Sequence, residues 1–270
     1  MDLRPYSPSW LQVKAASTAL NYQPFIITDD IRTGVAYSWL YSDDPRDDPF
    51  YKFVFQRDKV AAEVWQKAAD ANGRLAAMYD DFVAEIARHY PGGSLLDVGC
   101  NNGYIPVRAE QLGMRGCAGT DRRTHQWAAI KVLNNITGTS VSFLNRAYSS
   151  RKHGARIGKR YDVVVASAVM CHLPDPLNFL AFLGSLATEA VFFWGQMIDS
   201  AEYLVGYNEP NRFRREPFPW GFDDNTRLST GLFRKSVELM GFREIVELPY
   251  RDSWLPAQWY APHKAWLCKR

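Results

Sequence analysis

The chain is first defined by what it lacks. No stretch of its 270 residues approaches the ~20 consecutive apolar positions needed to cross a bilayer. Met1 to Trp10 holds no apolar run of the kind a signal peptide carries, so a cytoplasmic protein with no membrane partner is expected. The four cysteines, Cys100, Cys117, Cys171 and Cys268, stand far apart with no C-x-x-C spacing, which predicts reduced thiols and argues against a disulfide frame or a zinc site. His125, His153 and His263 are scattered singly, and no metal-ligand spacing is present, so no metal is expected. The chain contains no internal repeat. Between Arg122 and Tyr161 there is neither Asp nor Glu, while Arg122, Arg123, Lys131, Arg146, Arg151, Lys152, Arg156, Lys159 and Arg160 are basic. Such a stretch either binds phosphate or an acidic substrate or is a solvated surface whose counter-charges lie elsewhere. The net charge of +3 does not by itself imply a nucleic-acid partner.

What is present is a globular composition, 47% apolar and 23% charged, long enough for one large domain or for a core domain with an extension. The chain is organised around residues 94–104. Ser94 to Val98 is too short and too apolar for an amphipathic helix and reads as a buried strand. Gly99 and Gly103 then bracket a turn where the backbone bends sharply or lies close to a ligand. A dinucleotide turn would need G-x-G-x-x-G and a P-loop G-x-x-x-x-G-K-[ST]; neither is there. A second short strand, Arg115 to Thr120, ends in Asp121. That residue follows Asp97 at about the separation expected of a ribose-binding acid in a βαβ unit, or it caps the helix that follows. Val141 to Leu144 and Tyr161 to Ala166 read as a third and a fourth strand, the latter entering Ser167 to Pro176.

Asp97-Val98-Gly99-Cys100-Asn101-Asn102-Gly103 resembles motif I of class I S-adenosylmethionine-dependent methyltransferases, with Asn101 at the middle glycine. Asparagine enters left-handed conformations at modest cost, so the turn can survive. The stretch from Ser167 to Pro176 resembles motif IV. Over residues 75–270 the resemblance implies an α/β fold, a Rossmann-like seven-stranded and mostly parallel sheet with helices on both faces and the last strand antiparallel. It implies methyl transfer with S-adenosylmethionine bound at the strand C-termini. Residues 1–74 are expected to be an extension with lid helices, and 195–225 a substrate-side insertion in the methyltransferase domain.

Helical periodicity begins near Gln56 with Val60, Val64, Trp65 and Ala68, and Asn72-Gly73 is expected to stop it. A second helix would then carry Leu75, Met78, Tyr79, Phe82, Val83 and Ile86 on one face. From Ser94 onward strands and helices alternate, as in a parallel sheet. Tyr104 to Leu112, Thr124 to Asn134, Asn178 to Leu186 and Leu228 to Met240 read as helices, and Ala190 to Trp194, Phe242 to Leu248 and Ala265 to Cys268 as strands. The irregular stretch from Gly195 is longer than an idle loop.

Since a sulfonium methyl is already activated, the protein's main task would be to align the acceptor and exclude water. The resemblance places Asp97 at the methionine amino group and the backbone of Gly99, Cys100, Asn101, Asn102 and Gly103 along the cofactor. Asp121 would meet the ribose, and Arg122, Asn145, Arg146 and Ala147 the adenine. Ser167 and Ala168 would lie at the methionine end. Cys100 and Cys171 are expected to be small fillers. His172 is the candidate base, or a structural histidine under the loop. Trp194, Tyr203, Tyr207, Arg212 and Arg214 are substrate-side candidates; the arginines can hold a carboxylate or phosphate, or form a solvated charge run. The leading expectation is a methyltransferase for a small or medium-sized molecule. Motif I is also similar to that of tRNA-modifying members, including the wobble-uridine carboxymethyltransferases, and a non-catalytic cofactor-binding regulator is the third reading. Neither the acceptor nor the oligomeric state is legible.

Overall fold

The computed structural model describes residues 23–32, 55–57, 62–121, 126–144, 157–173, 175–206, 226–254 and 263–270. Arg122, Asn145, Arg146, Ala147, Tyr207, Arg212 and Arg214 lie outside these, as do Arg123, Arg151, Lys152 and Arg156 of the basic stretch.

The sheet is centred on β4, Leu95–Val98, whose four residues are all buried. On one side β4 pairs in parallel with β5, Ala118–Thr120, which pairs with β6, Ser142–Leu144. On the other side lie β7, Tyr161–Ser167, and β8, Ala187–Ile198, again parallel. β12, His263–Lys269, joins β8 antiparallel, and β11, Glu244–Leu248, closes that edge antiparallel to β12. The order is β11-β12-β8-β7-β4-β5-β6, a mostly parallel seven-stranded path with its last strand antiparallel, the architecture that the resemblance implies.

Successive strand residues face opposite ways, so each strand feeds two cores. Leu95, Val163, Val165, Phe192, Trp194, Ala265 and Leu267 point to one face. It is covered by α1, Ala62–His89, with α2, Tyr104–Gln111, and α3, Gln126–Thr137. Leu96, Val98, Val164, Ala166, Val191, Phe193, Trp266 and Cys268 point to the other. That face is covered by α4, Pro176–Leu186, and α5, Thr230–Leu239.

Three sequence readings are corrected. α1 is one helix of 28 residues running straight through Asn72-Gly73, the expected stop. A glycine inside a helix costs only about 1 kcal/mol. Burial of Leu75, Met78, Tyr79, Phe82, Val83 and Ile86 outweighs it, at about 1.5–3 kcal/mol for each large apolar side chain. β8 does not end at Trp194 but continues to Ile198. Its extra residues find partners on both sides: Gln196 pairs with His263, and Met197 with Leu228 of β10, Arg227–Ser229. The irregular stretch therefore begins after Ile198, with β9, Val205–Gly206, pairing back onto β10. For the same reason residues 227–229 are strand, not the start of a helix, and Ser229 caps α5 by accepting from the Leu232 N–H at 3.1 Å.

A small antiparallel sheet stands apart in sequence: β1, Ile26–Thr28, β2, Ile31–Arg32, and β3, Phe55–Gln56.

Candidate active site

The glycine-turned loop leaves β4 under tight steric control. Gly99 has φ +81°, and a Cβ there would meet Val169 Cγ2 at 2.3 Å; Gly103 has φ +85°, and its Cβ would meet Ile130 Cγ1 at 2.8 Å. Between them Asn101 takes the left-handed region at φ 48°. The Gly99 and Cys100 N–H groups donate to Thr120 O at 2.7 and 3.0 Å, tying the turn to the end of β5. The Asn101 N–H donates to Asp121 Oδ2 at 3.1 Å, which brings the acid of the second strand to the first turn. Cys100 fits against Gly119, where a Cβ would lie 2.5 Å from its Sγ. Burial foremost, then the Asp97 and Asp121 charges, push the Cys100 thiol well above its ordinary value, which does not suit a nucleophile.

Asp97 is 1% exposed, and its Oδ1 has no hydrogen-bond partner among the described residues. Burial and, second, the charge of Asp121 push its carboxyl up to about 8. A buried acid left unsatisfied at the mouth of a glycine turn fits a cationic ligand group, which would supply both the missing donor and the missing charge.

The end of β7 is also unusual. Ser167 Oγ is buried without a hydrogen-bond partner among the described residues. Ala168 adopts φ 53°, uncommon for a residue with a Cβ, and its N–H donates to Trp194 O at 2.8 Å. A single 3₁₀ turn, Met170–His172, follows, with the His172 N–H donating to Val169 O at 2.9 Å and His172 exposed. Cys171 is half-buried and its Sγ donates to Ala168 O at 3.5 Å.

Strand alternation places Asp97, Ser167 and Trp194 on the α1 face at the C-terminal edge of the sheet, Ser167 and Trp194 in register. Trp194 is 3% exposed and touches Tyr79 and Phe82 of α1, with ring centroids 6.1 and 6.0 Å apart. Tyr203 is not part of this group. It is 64% exposed and lines a shallow groove with Asp199, Thr230 and Arg234 on the α5 side.

Three residues not singled out by sequence reasoning also join the loops. Gln23, 6% exposed, holds the glycine turn from outside: its Nε2 donates to Cys100 O at 3.1 Å, and its Oε1 accepts from the Tyr104 N–H at 2.8 Å. That N–H opens α2, whose N-cap Gly103 has no side chain to offer it. Thr226, fully buried, fixes the loop after β7: its N–H donates to Cys171 O at 3.2 Å, and its hydroxyl donates to Leu173 O. His263 opens β12 and stacks on Trp194 at 5.0 Å and 20°. The one signal that could have found it is the antiparallel final strand, which begins at the edge where the parallel strands end.

Fold and site together are those of a class I S-adenosylmethionine-dependent methyltransferase. Residues 70–227, more than half the chain, match the methyltransferase domain family, and the chain belongs to it. Among curated proteins it is similar to the ubiquinone biosynthesis O-methyltransferase of Proteus mirabilis, 24% identical over 190 residues covering 63% of this chain and 76% of the relative. Among solved structures it resembles magnesium protoporphyrin IX methyltransferase of Synechocystis PCC 6803 with S-adenosylmethionine bound, at TM-score 0.52 and 16% identity, covering 87% of this chain and 89% of the other. It also resembles an O-methyltransferase family protein from Burkholderia thailandensis, at TM-score 0.53 and 12% identity, covering 97% and 68%. These likenesses establish a shared fold. No helix among the described residues is long and apolar enough to cross a membrane.

Proposed function

We propose that the chain transfers the methyl group of S-adenosylmethionine to a hydroxyl oxygen of a small molecule. The observation that carries this reading is the unsatisfied buried carboxyl of Asp97 at the glycine turn, beside Asp121. An O-methyl acceptor follows the named activity of the Proteus relative. When bound, the cofactor supplies an activated methyl on a sulfonium centre.

The chain's own residues have four tasks. Asp97 receives the methionine ammonium, losing its proton as the cation arrives. Asp121 takes the ribose hydroxyls while its other contact, the Asn101 N–H, fixes the turn against the cofactor. Gly99, Cys100, Asn101, Asn102 and Gly103 present backbone rather than bulk, and Ser167 and Ala168 border the methionine end. Trp194 walls the acceptor side and excludes water, and His172 accepts the proton of the acceptor hydroxyl. Arg122, Asn145, Arg146 and Ala147 are assigned to the adenine, and Tyr207, Arg212 and Arg214 to the acceptor, while Tyr203, on the α5 side, is left out. Residues 1–74 serve as a lid-bearing extension of the 75–270 domain, and the protein works in the cytoplasm.

Calorimetry with S-adenosylmethionine, S-adenosylhomocysteine and NAD tests the cofactor. The first two bind, NAD does not, and Asp121→Ala weakens them by about tenfold or more, the loss of a charged hydrogen bond. Binding of NAD alone, or of nothing, would overturn the reading. Incubation with labelled S-adenosylmethionine and a hydroxylated small-molecule fraction tests the acceptor. His172→Ala lowers the rate about 100-fold or more while S-adenosylhomocysteine affinity stays within about twofold.

A further inference from the structure

His172, the residue assigned to take the acceptor's proton, closes the single 3₁₀ turn Met170–His172. So short a turn satisfies little of its own backbone. The His172 N–H donates to Val169 O at 2.9 Å and the Leu173 N–H to Met170 O at 3.1 Å, while the carbonyls of Cys171 and Leu173 must find donors outside the turn. The side chains are divided as well. Met170 is buried in the core beneath α4 and α5, and His172 is exposed. The core thus roots the turn at its first residue, and the base stands at its last.

Both outstanding carbonyls are met by one residue. The Thr226 N–H donates to Cys171 O at 3.2 Å, and the Thr226 hydroxyl donates to Leu173 O, with Met170 O 3.4 Å from the same oxygen. These bonds bracket His172. The peptide plane entering it carries Cys171 O and is held by the Thr226 backbone; the plane leaving it is held by the Leu173 N–H, and the carbonyl beyond that by the Thr226 side chain. Fixing the planes on either side fixes the φ and ψ of His172, and with them the direction of its side chain. Thr226 is itself firmly placed. It is fully buried and immediately precedes β10, whose Leu228 and Ser229 pair with Met197 and Ile198 of β8 and whose Ser229 caps α5. The support of the turn is therefore a strand of the main sheet, and such elements hold a reacting group more closely than loops do.

We propose that Thr226 is the positioning residue of the base: through the 3₁₀ turn it sets where the His172 imidazole meets the acceptor hydroxyl. The inference rests on the reading of His172 as the base and deepens it. Fully buried, Thr226 has no surface to offer a substrate and acts only through the turn. Displacing a reacting group by about 1 Å can cost about 100-fold in rate, so the loss of this support is felt in the chemical step. Valine has the shape of threonine without the hydroxyl. Thr226→Val therefore keeps the N–H bond to Cys171 O and removes the bond to Leu173 O.

A double-mutant cycle of Thr226→Val and His172→Ala tests this, read as label transfer from saturating S-adenosylmethionine to the hydroxylated small-molecule fraction, with S-adenosylhomocysteine affinity measured alongside. Thr226→Val slows transfer about 10- to 100-fold while affinity stays within about twofold. Thr226→Ser, which keeps the hydroxyl, recovers most of the lost rate. In the His172→Ala background the valine changes the rate by less than about twofold, because residues that act as a unit are not additive. A wild-type rate for Thr226→Val overturns the proposal. So does an equal loss in both backgrounds or a parallel loss of affinity, which is what a general loosening of the fold would give. Amide hydrogen exchange on the wild type needs no variant, so an unfolded Thr226→Val would not rescue the proposal: a Thr226 N–H exchanging as fast as in an unfolded chain also overturns it. A wild-type rate for His172→Ala, or no transfer by the wild type, overturns the base or acceptor reading and the proposal with it. Either is distinguishable from a slow His172→Ala with an unaffected Thr226→Val, which overturns the proposal alone.

Discussion

On the face covered by α4 and α5, the strands present Leu96, Val98, Val164, Val191, Phe193 and Trp266, which close onto Phe179, Phe182, Phe233 and Phe242 in a buried apolar layer. On the α1 face the same strands present an equally buried middle, but toward their C-terminal ends they carry Asp97, Ser167 and Trp194, with His263 beside them on β12. Two of these end in buried atoms, Asp97 Oδ1 and Ser167 Oγ, with no hydrogen-bond partner among the described residues. Because strand side chains alternate, one residue can complete a core while the next completes a site. Stability and chemistry are thus divided between two faces of one sheet.

Substitutions should separate the two faces. The largest expected effect is on the apolar side. Phe193→Ala removes a ring packed 5.0 Å from Phe233 and lowers unfolding free energy by about 3–5 kcal/mol in denaturant titrations, with S-adenosylhomocysteine affinity unchanged while the protein is folded. Gly99→Ala comes next: its Cβ would collide with Val169 at a left-handed φ, about 1–3 kcal/mol of strain. Placed at the turn, that strain should appear as roughly ten- to hundredfold weaker cofactor binding, with far-ultraviolet circular dichroism retained. Smallest is Gln23→Ala, which removes two hydrogen bonds to the turn from a segment outside the sheet. Cofactor binding should weaken by about three- to tenfold, within the net worth of ordinary hydrogen bonds, and a calorimetric titration would check it. An affinity change for Phe193→Ala, or none for Gln23→Ala, would break the comparison.

The cofactor side was legible in the sequence because it is local. A strand, a glycine-bracketed turn and an acid lie within residues 94–104, and the asparagine at the middle glycine position takes the left-handed conformation its side chain permits. Gln23 was illegible because its partners, Cys100 and Tyr104, are distant in sequence and nothing near it marks a contact. Asn72 was misread for a related reason: the asparagine-glycine pair reads as a helix stop, and only tertiary burial carries the helix through. β8 was read too short because its last residues are strand only by virtue of their pairing with β10 and β12. Tyr203 carried an aromatic signal and lies on the other side of the sheet.

The central claim is that Asp97 is the receptor for a cationic ligand group, and proton linkage tests it most directly. Its carboxyl is raised to about 8, so between about pH 4 and pH 8 the folded chain keeps a proton that the unfolded chain has released. Stability of the ligand-free protein therefore falls as pH rises through that window. A bound ammonium favours the carboxylate, so binding expels the proton and affinity rises with pH up to about 8. The measurement is calorimetric titration with S-adenosylhomocysteine at pH 6.5 and 8.5, in two buffers of different ionisation enthalpy, for wild type and Asp97→Asn. The account predicts proton release and tighter binding at the higher pH for wild type, both abolished in the variant. Equal affinity at both pH values with no proton released, unchanged by the substitution, would contradict it.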